Sequence, residues 1–233
     1  MTTTSRGAGT SGPTGGISRI ESAEAFQEAF GVSRETLDRL RTYEGLVKSW
    51  QKAVNLVSPT TLDEIWHRHF ADSAQLFDIA PQGGKSWLDL GSGGGFPGLV
   101  LAILLAEKNP DARMTLVESD SRKAAFLGEV ARKTGLAVEI RVERIEKYAT
   151  HDKSQIKDVI TARALAPLSK LLGLVLPIFS PHTVALFPKG RDVEAEIVEA
   201  SQKFAFDCTQ FPSLTDAQAR IVAMRNLAVK TEG

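Results

Sequence analysis

The chain has 233 residues, 42% of them apolar, which is enough to bury the core of one α/β domain and an accessory segment. Its 28 basic and 28 acidic residues cancel, which excludes attraction to a polyanion through overall charge and leaves only a local patch. The single Cys208 excludes a disulfide within the chain, and no apolar run reaches the ~20 residues that span a bilayer. Without the apolar core of a secretory signal at the N-terminus, we expect a soluble cytoplasmic protein.

Two segments precede the first predicted strand. Residues 1–19 are rich in Ser, Thr and Gly, with too few apolar side chains to offset ordering entropy, so we expect a disordered tail. Residues 20–82 are predicted as an N-terminal helical extension. Ser22 and Ser33 are placed as N-caps of its first two helices, and a third helix is expected from about residue 62 to residue 77.

Strand-like and helix-like segments alternate in the second domain, residues 83–233. The predicted strands are 86–90, 113–118, 137–142, 157–162 and 182–187. The predicted helices are 97–107, 121–134, 168–178 and 191–202. This order favours a parallel sheet with helices on both faces. The last two strands, 203–211 and 219–229, are joined by a loop too short for a crossover helix, so we predict that they pair antiparallel.

A glycine-rich turn follows the first predicted strand. Glycines allow positive φ and close approach of a ligand, and the next helix presents its free N–H groups to an anion. One frame, from Gly93 to Gly98 with Glu118 20 residues later, has the spacing of a dinucleotide-binding fingerprint. The other is an acid, Asp89, followed by G-x-G-x-G, which is typical of S-adenosylmethionine (SAM) enzymes. Because its first glycine, Gly91, stands directly at the strand end, the sequence favours SAM over NAD.

Three further segments end predicted strands at the same edge of the sheet. Glu118 can accept hydrogen bonds from both hydroxyls of a ribose, which supports a nucleoside without choosing between the two cofactors. Residues 144–146 are predicted as a polar loop. Arg163 is placed where a cation can pair with a cofactor carboxylate or a substrate phosphate, and a surface arginine lying over the sheet is the competing interpretation.

His67 and His69, with Asp63 and Asp72 nearby, are residue types that can bind a metal. The two histidines are two residues apart on a predicted helix, so their side chains point to different faces. We therefore expect no metal.

The chain resembles the bacterial ribosomal RNA small-subunit methyltransferase G family, also called glucose-inhibited division protein B, over roughly residues 35–229. The matching stretches are Asn55-Leu56-Val57, Arg68-His69-Phe70-Ala71-Asp72-Ser73, Leu88 to Gly98, Arg122 to Leu127, Arg144-Ile145-Glu146, Thr161 to Ala164, and Pro188-Lys189-Gly190. The resemblance implies an α/β, Rossmann-like, seven-stranded SAM-dependent methyltransferase sheet with an N-terminal helical extension. It also implies methylation of guanine N7 in the decoding-region loop of 16S ribosomal RNA, within the small subunit or an assembly intermediate.

The resemblance implies contacts between SAM and five residues that match the family motifs: Gly91, Phe96, Ile145, Glu146 and Arg163. The glycine frame and the end of the second strand add Gly93, Gly95 and Glu118 to the expected cofactor-binding residues. Glu118 stands where many members carry an aspartate, which is one methylene shorter.

Guanine N7 carries a lone pair at neutral pH, so attack needs no general base, and the protein contributes positioning and electrostatics. The candidate catalytic residues are Arg163, His69 and Asp72, although the residues alone favour bracing of a helix for the last two. The candidate RNA-binding residues are Arg68, Arg122, Lys123, Arg144, Lys189 and Arg191, with a possible extension to Arg39, Arg41, Lys48 and Lys52. Ordinary solvated charges are the competing interpretation.

Three other functions remain open from the residues. A methyltransferase of a small molecule or protein would have a closed apolar lid. A non-catalytic nucleotide- or RNA-binding protein with the same fold would bind SAM without transferring a methyl group. An NAD-dependent oxidoreductase would use the dinucleotide frame of the glycine turn.

Overall fold

The computed structural model describes residues 19–151 and 156–230. The predicted disordered tail, 1–19, therefore lies outside the described residues except for Arg19. The helices are α1 Ala23–Phe30, α2 Arg34–Trp50, α3 Asp72–Ile79, α4 Gly98–Lys108, α5 Ser121–Thr134, α6 Ile145–His151, α7 Leu168–Val175 and α8 Val193–Lys203. The strands are β1 Ser86–Leu90, β2 Arg113–Glu118, β3 Val138–Val142, β4 Val159–Thr161, β5 Val184–Lys189, β6 Phe204–Pro212 and β7 Arg220–Val229.

The seven strands form one sheet in the order β3-β2-β1-β4-β5-β7-β6. The first five strands run parallel, and β7 lies antiparallel between β5 and β6. The predicted α/β sheet and its antiparallel final pair are confirmed. Since the chain crosses from β3 back to β4, the strand order reverses between β1 and β4, which is where open α/β sheets bind ligands at their carboxyl edge.

The helical extension packs on the α4 face of the sheet. Ser22 and Ser33 cap α1 and α2 as predicted, each accepting a hydrogen bond from a backbone N–H three residues later. Side chains of the extension, such as Phe26 and Leu40, share one continuous hydrophobic core with those of α4, such as Leu101. The boundary between residues 82 and 83 therefore stays a prediction, because no separate core marks it.

The third predicted helix, 62–77, is wrong in detail. The structure has a 3-10 turn at Pro59–Thr61, a π-helix at Trp66–Ala71 and then α3. Within the π-helix the Arg68 carbonyl oxygen accepts a hydrogen bond from the Arg163 guanidinium at 3.1 Å. A tertiary contact thus replaces part of the regular helical pattern, at a kind of irregularity that often marks functional sites.

Two later segments also differ from prediction. The 144–146 segment is not a loop: the N–H groups of Lys147 and Tyr148 donate to the Arg144 carbonyl oxygen, and α6 begins at Ile145. Tyr148 is buried in the core beside α7, so packing stabilises this short helix. The predicted helix 168–178 is an α-helix only up to Val175. It is followed by a 3-10 turn, Leu176–Ile178, because Pro177 cannot donate a helical hydrogen bond.

Among the described residues, no helix combines the length and the apolar character needed to cross a bilayer.

Candidate active site

Two cavities open at the carboxyl edge of the sheet. The glycine-turn cavity has a volume of about 390 Å³, and its lining includes Gly91, Gly93, Glu118 and Ile145. The π-helix cavity has a volume of about 690 Å³, and its lining includes Arg68, His69, Asp72, Lys189 and Asp216. Both are lined by the segment that follows β4, Arg163 to Ala166. This segment is therefore a common wall between two ligand-sized spaces.

The first half of the glycine turn faces the glycine-turn cavity. Gly91 and Gly93 have φ of +64° and +55°, in the left-handed region that favours glycine. A Cβ on Gly93 would lie 3.7 Å from the Gly91 carbonyl oxygen and meet no other neighbour within 4 Å. Its open side is therefore available to a ligand. A Cβ on Gly91 would lie 2.7 Å from Leu165 Cδ1, so the common wall closes over the strand end.

The second half of the turn packs against the helical extension. A Cβ on Gly95 would collide with the Tyr43 hydroxyl, which donates a hydrogen bond to the Gly94 carbonyl oxygen. Phe96 is 5% exposed, and its ring stacks on Tyr43 at 5.2 Å between centroids. Neither Gly95 nor Phe96 lines one of the two cavities, and their expected contact with the cofactor stays a prediction.

Glu118 joins the end of β2 to the glycine turn. Its Oε2 accepts a hydrogen bond from the Gly93 N–H at 2.8 Å, and its Oε1 accepts one from the Asp120 N–H at 2.8 Å. Each carboxylate oxygen has a further lone pair, so the carboxylate can still accept a hydrogen bond from a ribose hydroxyl. Ile145 and Glu146 line the same cavity at the start of α6. The structure thus brings together the expected residues from β1, β2, β3 and β4.

Arg163 is held inside the protein rather than spread over its surface. Its Nη1 donates to Asp72 Oδ2 at 3.1 Å, and its Nη2 donates to His69 Nδ1 at 2.9 Å. Its Cζ lies 5.2 Å from the centroid of the Phe96 ring. The side chain is 18% exposed, and Asp72 is similarly enclosed at 17%. The three candidate catalytic residues are thus one hydrogen-bonded cluster in the wall between the cavities.

The His69 imidazole is neutral, and both of its ring nitrogens are hydrogen-bonded. A guanidinium can only donate, so Nδ1 is the acceptor and Nε2 carries the proton, which it donates to Thr61 Oγ1 at 2.8 Å. The Thr61 hydroxyl in turn donates to the Ser58 carbonyl oxygen. Burial, with the nearby charges of Arg163 and Arg68, lowers the His69 pKa to about 3. This imidazole therefore braces Arg163 and has no free nitrogen with which to act as a base.

Asp72 and His67 connect the π-helix to the loop between β6 and β7. Asp72 Oδ1 accepts a hydrogen bond from the Thr215 hydroxyl at 2.8 Å, and His67 Nε2 lies 3.1 Å from the Thr215 carbonyl oxygen. The two histidines bind different partners. In the described ranges, no group of three or more His, Cys, Asp and Glu side chains is arranged to hold a metal ion.

The candidate RNA-binding residues divide into two groups. Lys123 and Arg144 line the glycine-turn cavity, and Arg122 is 71% exposed at the start of α5. Arg191 is exposed beside the π-helix cavity. Lys189 is instead enclosed, at 9% exposed, and its ammonium donates to Glu196 at 2.7 Å. The first group leaves its charges accessible to solvent or to a cavity, whereas Lys189 joins the end of β5 to Ala166 and to Glu196 of α8.

Arg68 lines the π-helix cavity and lies 3.4 Å from Asp216. Three cations of α2 already have partners. Arg41 pairs with Glu24 and Lys48 with Glu44 inside the extension, whereas Arg39 donates to the Thr134 carbonyl oxygen at the end of α5.

Asp89 and the 215–216 loop were not singled out as site residues from the sequence. Asp89 is fully buried below the glycine turn, where its Oδ1 accepts a hydrogen bond from Thr161 at 2.7 Å. Burial raises its pKa to about 6. Asp89 is the acid that begins the SAM motif, so the sequence did contain a signal for it. No pattern in the sequence connects Thr215 and Asp216 with their partners about 145 positions earlier.

The sequence of this chain is similar to those of known proteins. The family model for rRNA small subunit methyltransferase G matches residues 36–223. The chain is 47% identical over 209 residues to the ribosomal RNA small subunit methyltransferase G of Parvibaculum lavamentivorans, covering 90% of this chain and 91% of that protein. It is 48% identical over 206 residues to the protein of the same name from Rhodospirillum centenum, covering 88% and 91%.

Solved structures share the fold. An O-methyltransferase from Bacillus cereus in complex with SAH aligns with a TM-score of 0.58 at 15% identity, covering 88% of this chain and 96% of that one. A putative O-methyltransferase from Klebsiella pneumoniae aligns with a TM-score of 0.55 at 16% identity, with the same coverage. The family match and the identities above place the chain: it belongs to the rRNA small subunit methyltransferase G family.

Proposed function

We propose that this protein is a SAM-dependent methyltransferase that methylates N7 of a guanine in the decoding-region loop of 16S rRNA. Its substrate is the small ribosomal subunit or an assembly intermediate, and its location is the cytoplasm. The observation that carries the proposal is the pair of cavities that meet at the wall Arg163 to Ala166, at the point where the strand order reverses. One cavity suits a nucleoside cofactor and the other suits a base.

The glycine-turn cavity fits SAM. Gly93 leaves an open approach to the backbone, and Glu118 has spare lone pairs for the ribose. Ile145 offers an apolar surface to an adenine ring at the same cavity. SAM supplies a methyl group on a positively charged sulfur. Every protein residue named here serves to bind and orient that group.

The NAD frame fits less well. In that frame Gly95 is the glycine along which the pyrophosphate approaches the backbone. Here the side on which a Cβ of Gly95 would lie is filled by the Tyr43 hydroxyl and Leu99, which leaves no room for a pyrophosphate there. The glycine with an open side is Gly93, the central glycine of the SAM frame.

The π-helix cavity fits a base whose attacking atom is already unprotonated. Guanine N7 needs no proton removed, and the imidazole at this cavity, His69, has both nitrogens engaged. Asp72 is likewise committed to Arg163 and Thr215. Attack places positive charge on the base, and the carboxylates of the lining stabilise that charge.

Cations that line the glycine-turn cavity or lie next to a lining residue in sequence supply the contacts to phosphate. They are Arg122, Lys123, Arg144 and Arg191. Because the formal net charge of the chain is zero, this patch supports modest affinity for naked RNA and favours a structured ribonucleoprotein as substrate.

The test is to incubate the protein with tritiated SAM and small subunits from cells that lack the enzyme, and to map the label. We expect label at one guanine, recovered as 7-methylguanosine on nucleoside analysis. Label on another base, on protein or nowhere would refute the proposal. A thermal-shift comparison separates the cofactors: S-adenosylhomocysteine should stabilise the protein and NAD should not.

A further inference from the structure

We propose that Asp216, with Arg68 beside it, selects guanine by accepting hydrogen bonds from the N1–H and the 2-amino group of the target base. This inference rests on the proposed function and adds to it the residue that reads the base. It concerns the loop between β6 and β7, which the family motifs in the sequence do not include.

The position of the pair follows from the boundaries of the π-helix cavity. On one side lies the wall Arg163 to Ala166, shared with the glycine-turn cavity. Another boundary is formed by Arg68, Thr215 and Asp216, which also line a third cavity of about 360 Å³. The N7 atom and the 2-amino group lie at opposite ends of a guanine. Because the wall and Asp216 line the same cavity, one base can present its N7 to the wall while its 2-amino group reaches Asp216.

Asp216 is the least committed of the three carboxylates in the cavity. Asp72 is bound by Arg163 and Thr215. Glu196 is bound by Lys189 at 2.7 Å and by the Leu168 N–H at 2.6 Å. Asp216 instead lies 3.4 Å from Arg68, and both side chains are about 40% exposed, 41% and 40% respectively. A loosely paired, half-exposed carboxylate can exchange part of its contact for a ligand.

The hydrogen-bonding capacity of the pair is complementary to guanine and not to adenine. The backbone N–H of Gln218 and the charge of Arg68 lower the Asp216 pKa, so the carboxylate is ionised at neutral pH and can only accept. Guanine offers two parallel donors, N1–H and the 2-amino group, and Arg68 can donate to O6. Adenine presents an unprotonated N1 to the carboxylate and lacks the 2-amino group, so the carboxylate would lose its partner.

The loop is held firmly enough to place this carboxylate. Asp216 Oδ1 accepts the Gln218 N–H at 2.9 Å, and the Asp216 carbonyl oxygen accepts the Ala219 N–H at 3.0 Å. The neighbouring Thr215 donates a hydrogen bond to Asp72 at the start of α3. The acceptor is therefore positioned before the base arrives, which limits the entropy lost on binding.

The test compares two substrates and four proteins, one of which is a control. Small subunits are reconstituted with guanosine or with inosine at the target position, since inosine lacks only the 2-amino group. The proteins are wild type, Asp216→Ala and Asp216→Asn. The control is Asp207→Asn, the same change at an exposed position on β6 that lines neither cavity. Binding of S-adenosylhomocysteine to each variant reports that its fold and cofactor site are intact.

We expect wild type and the control to lose about 10- to 100-fold in kcat/KM on inosine. Asp216→Ala and Asp216→Asn should be slow on guanosine by a similar factor and show a guanosine-to-inosine ratio near one, with unchanged S-adenosylhomocysteine binding. If the variants keep the full wild-type ratio, the inference is overturned while the proposed function stands. If wild type transfers no methyl group to guanosine subunits, the proposed function fails and the inference fails with it.

Discussion

The two cavities are built in different ways. The glycine-turn cavity uses backbone from one turn and side chains that end consecutive strands, such as Glu118 and Ile145. The π-helix cavity uses residues from several distant segments, including Arg68 from the extension and Asp216 from the final hairpin. The first can be recognised as a local pattern. The second exists only when the extension and the hairpin pack against the end of the sheet.

The shared wall makes the two cavities interdependent. Leu165 closes over Gly91 on one side, and Arg163 reaches the π-helix on the other. Ala164 between them has φ of +51°, a left-handed conformation that costs an alanine about 1 kcal/mol or more. The wall thus holds a strained residue at the place where the donor and the acceptor must meet.

The largest expected effect comes from closing the first cavity alone. Gly93→Val fills the open approach and should reduce affinity for S-adenosylhomocysteine by at least about 1000-fold, measured by calorimetry, because a close backbone contact is lost. The matched control is Gly83→Val, which introduces the same side chain at φ of +78° in open space before β1. Equal loss in both variants, or normal affinity in the first, would contradict the site.

Asp89 lies below the glycine turn, and its pH dependence measures the free energy cost of ionising a carboxyl buried there. A raised carboxyl pKa means that the folded state binds the proton more tightly than the unfolded state. Ionisation therefore costs stability as pH rises from about 4 to 6. Asp89→Asn removes this cost, so its free energy of unfolding relative to wild type should rise by about 3 kcal/mol over that range.

Denaturant titrations at several pH values measure this difference. His69 titrates with the opposite sign, because its lowered pKa makes stability rise with pH up to about 6.5. It is present in both proteins, so its contribution cancels in the difference. A difference that does not change with pH would show that Asp89 ionises without cost.

A change in the wall should affect the reaction more than cofactor binding. Arg163→Ala leaves Asp72 enclosed without its cation and frees the π-helix, so the rate should fall by about 30- to 100-fold. Arg163→Lys should not restore it, because an ammonium cannot bond Asp72, His69 and the Arg68 carbonyl in one plane. Single-turnover rates with saturating SAM measure this effect, and an unchanged rate would remove Arg163 from the catalytic residues.

The smallest effect is expected at the rim of the cavities. Removing one exposed cation with Arg122→Ala should weaken binding to small subunits a few-fold and reduce the slope of log affinity against log salt by roughly one. Arg41→Ala, in an ion pair on the extension, serves as the comparison and should change neither. A salt response that is flat in wild type would argue against a phosphate-binding rim.

Local residue chemistry was sufficient for the sheet and for the cofactor side. The helix caps Ser22 and Ser33, the turn at Gly91 and Gly93 and the acid that ends β2 each depend on neighbours in sequence. The segment after β3 was misjudged because α6 is stabilised by Tyr148 packing against the core, which no periodicity in seven residues reveals.

The sequence by itself determined where the strands and the glycine turn lie along the chain, since backbone conformation and apolar patterning act over a few residues. Only the tertiary structure decided that Gly95 lies against Tyr43, that His69 is a neutral brace for Arg163, and that Asp216 lies beside Arg68. These contacts join residues 52, 94 and 148 positions apart. Their energies arise from burial and charge in a space that forms only after the chain has folded.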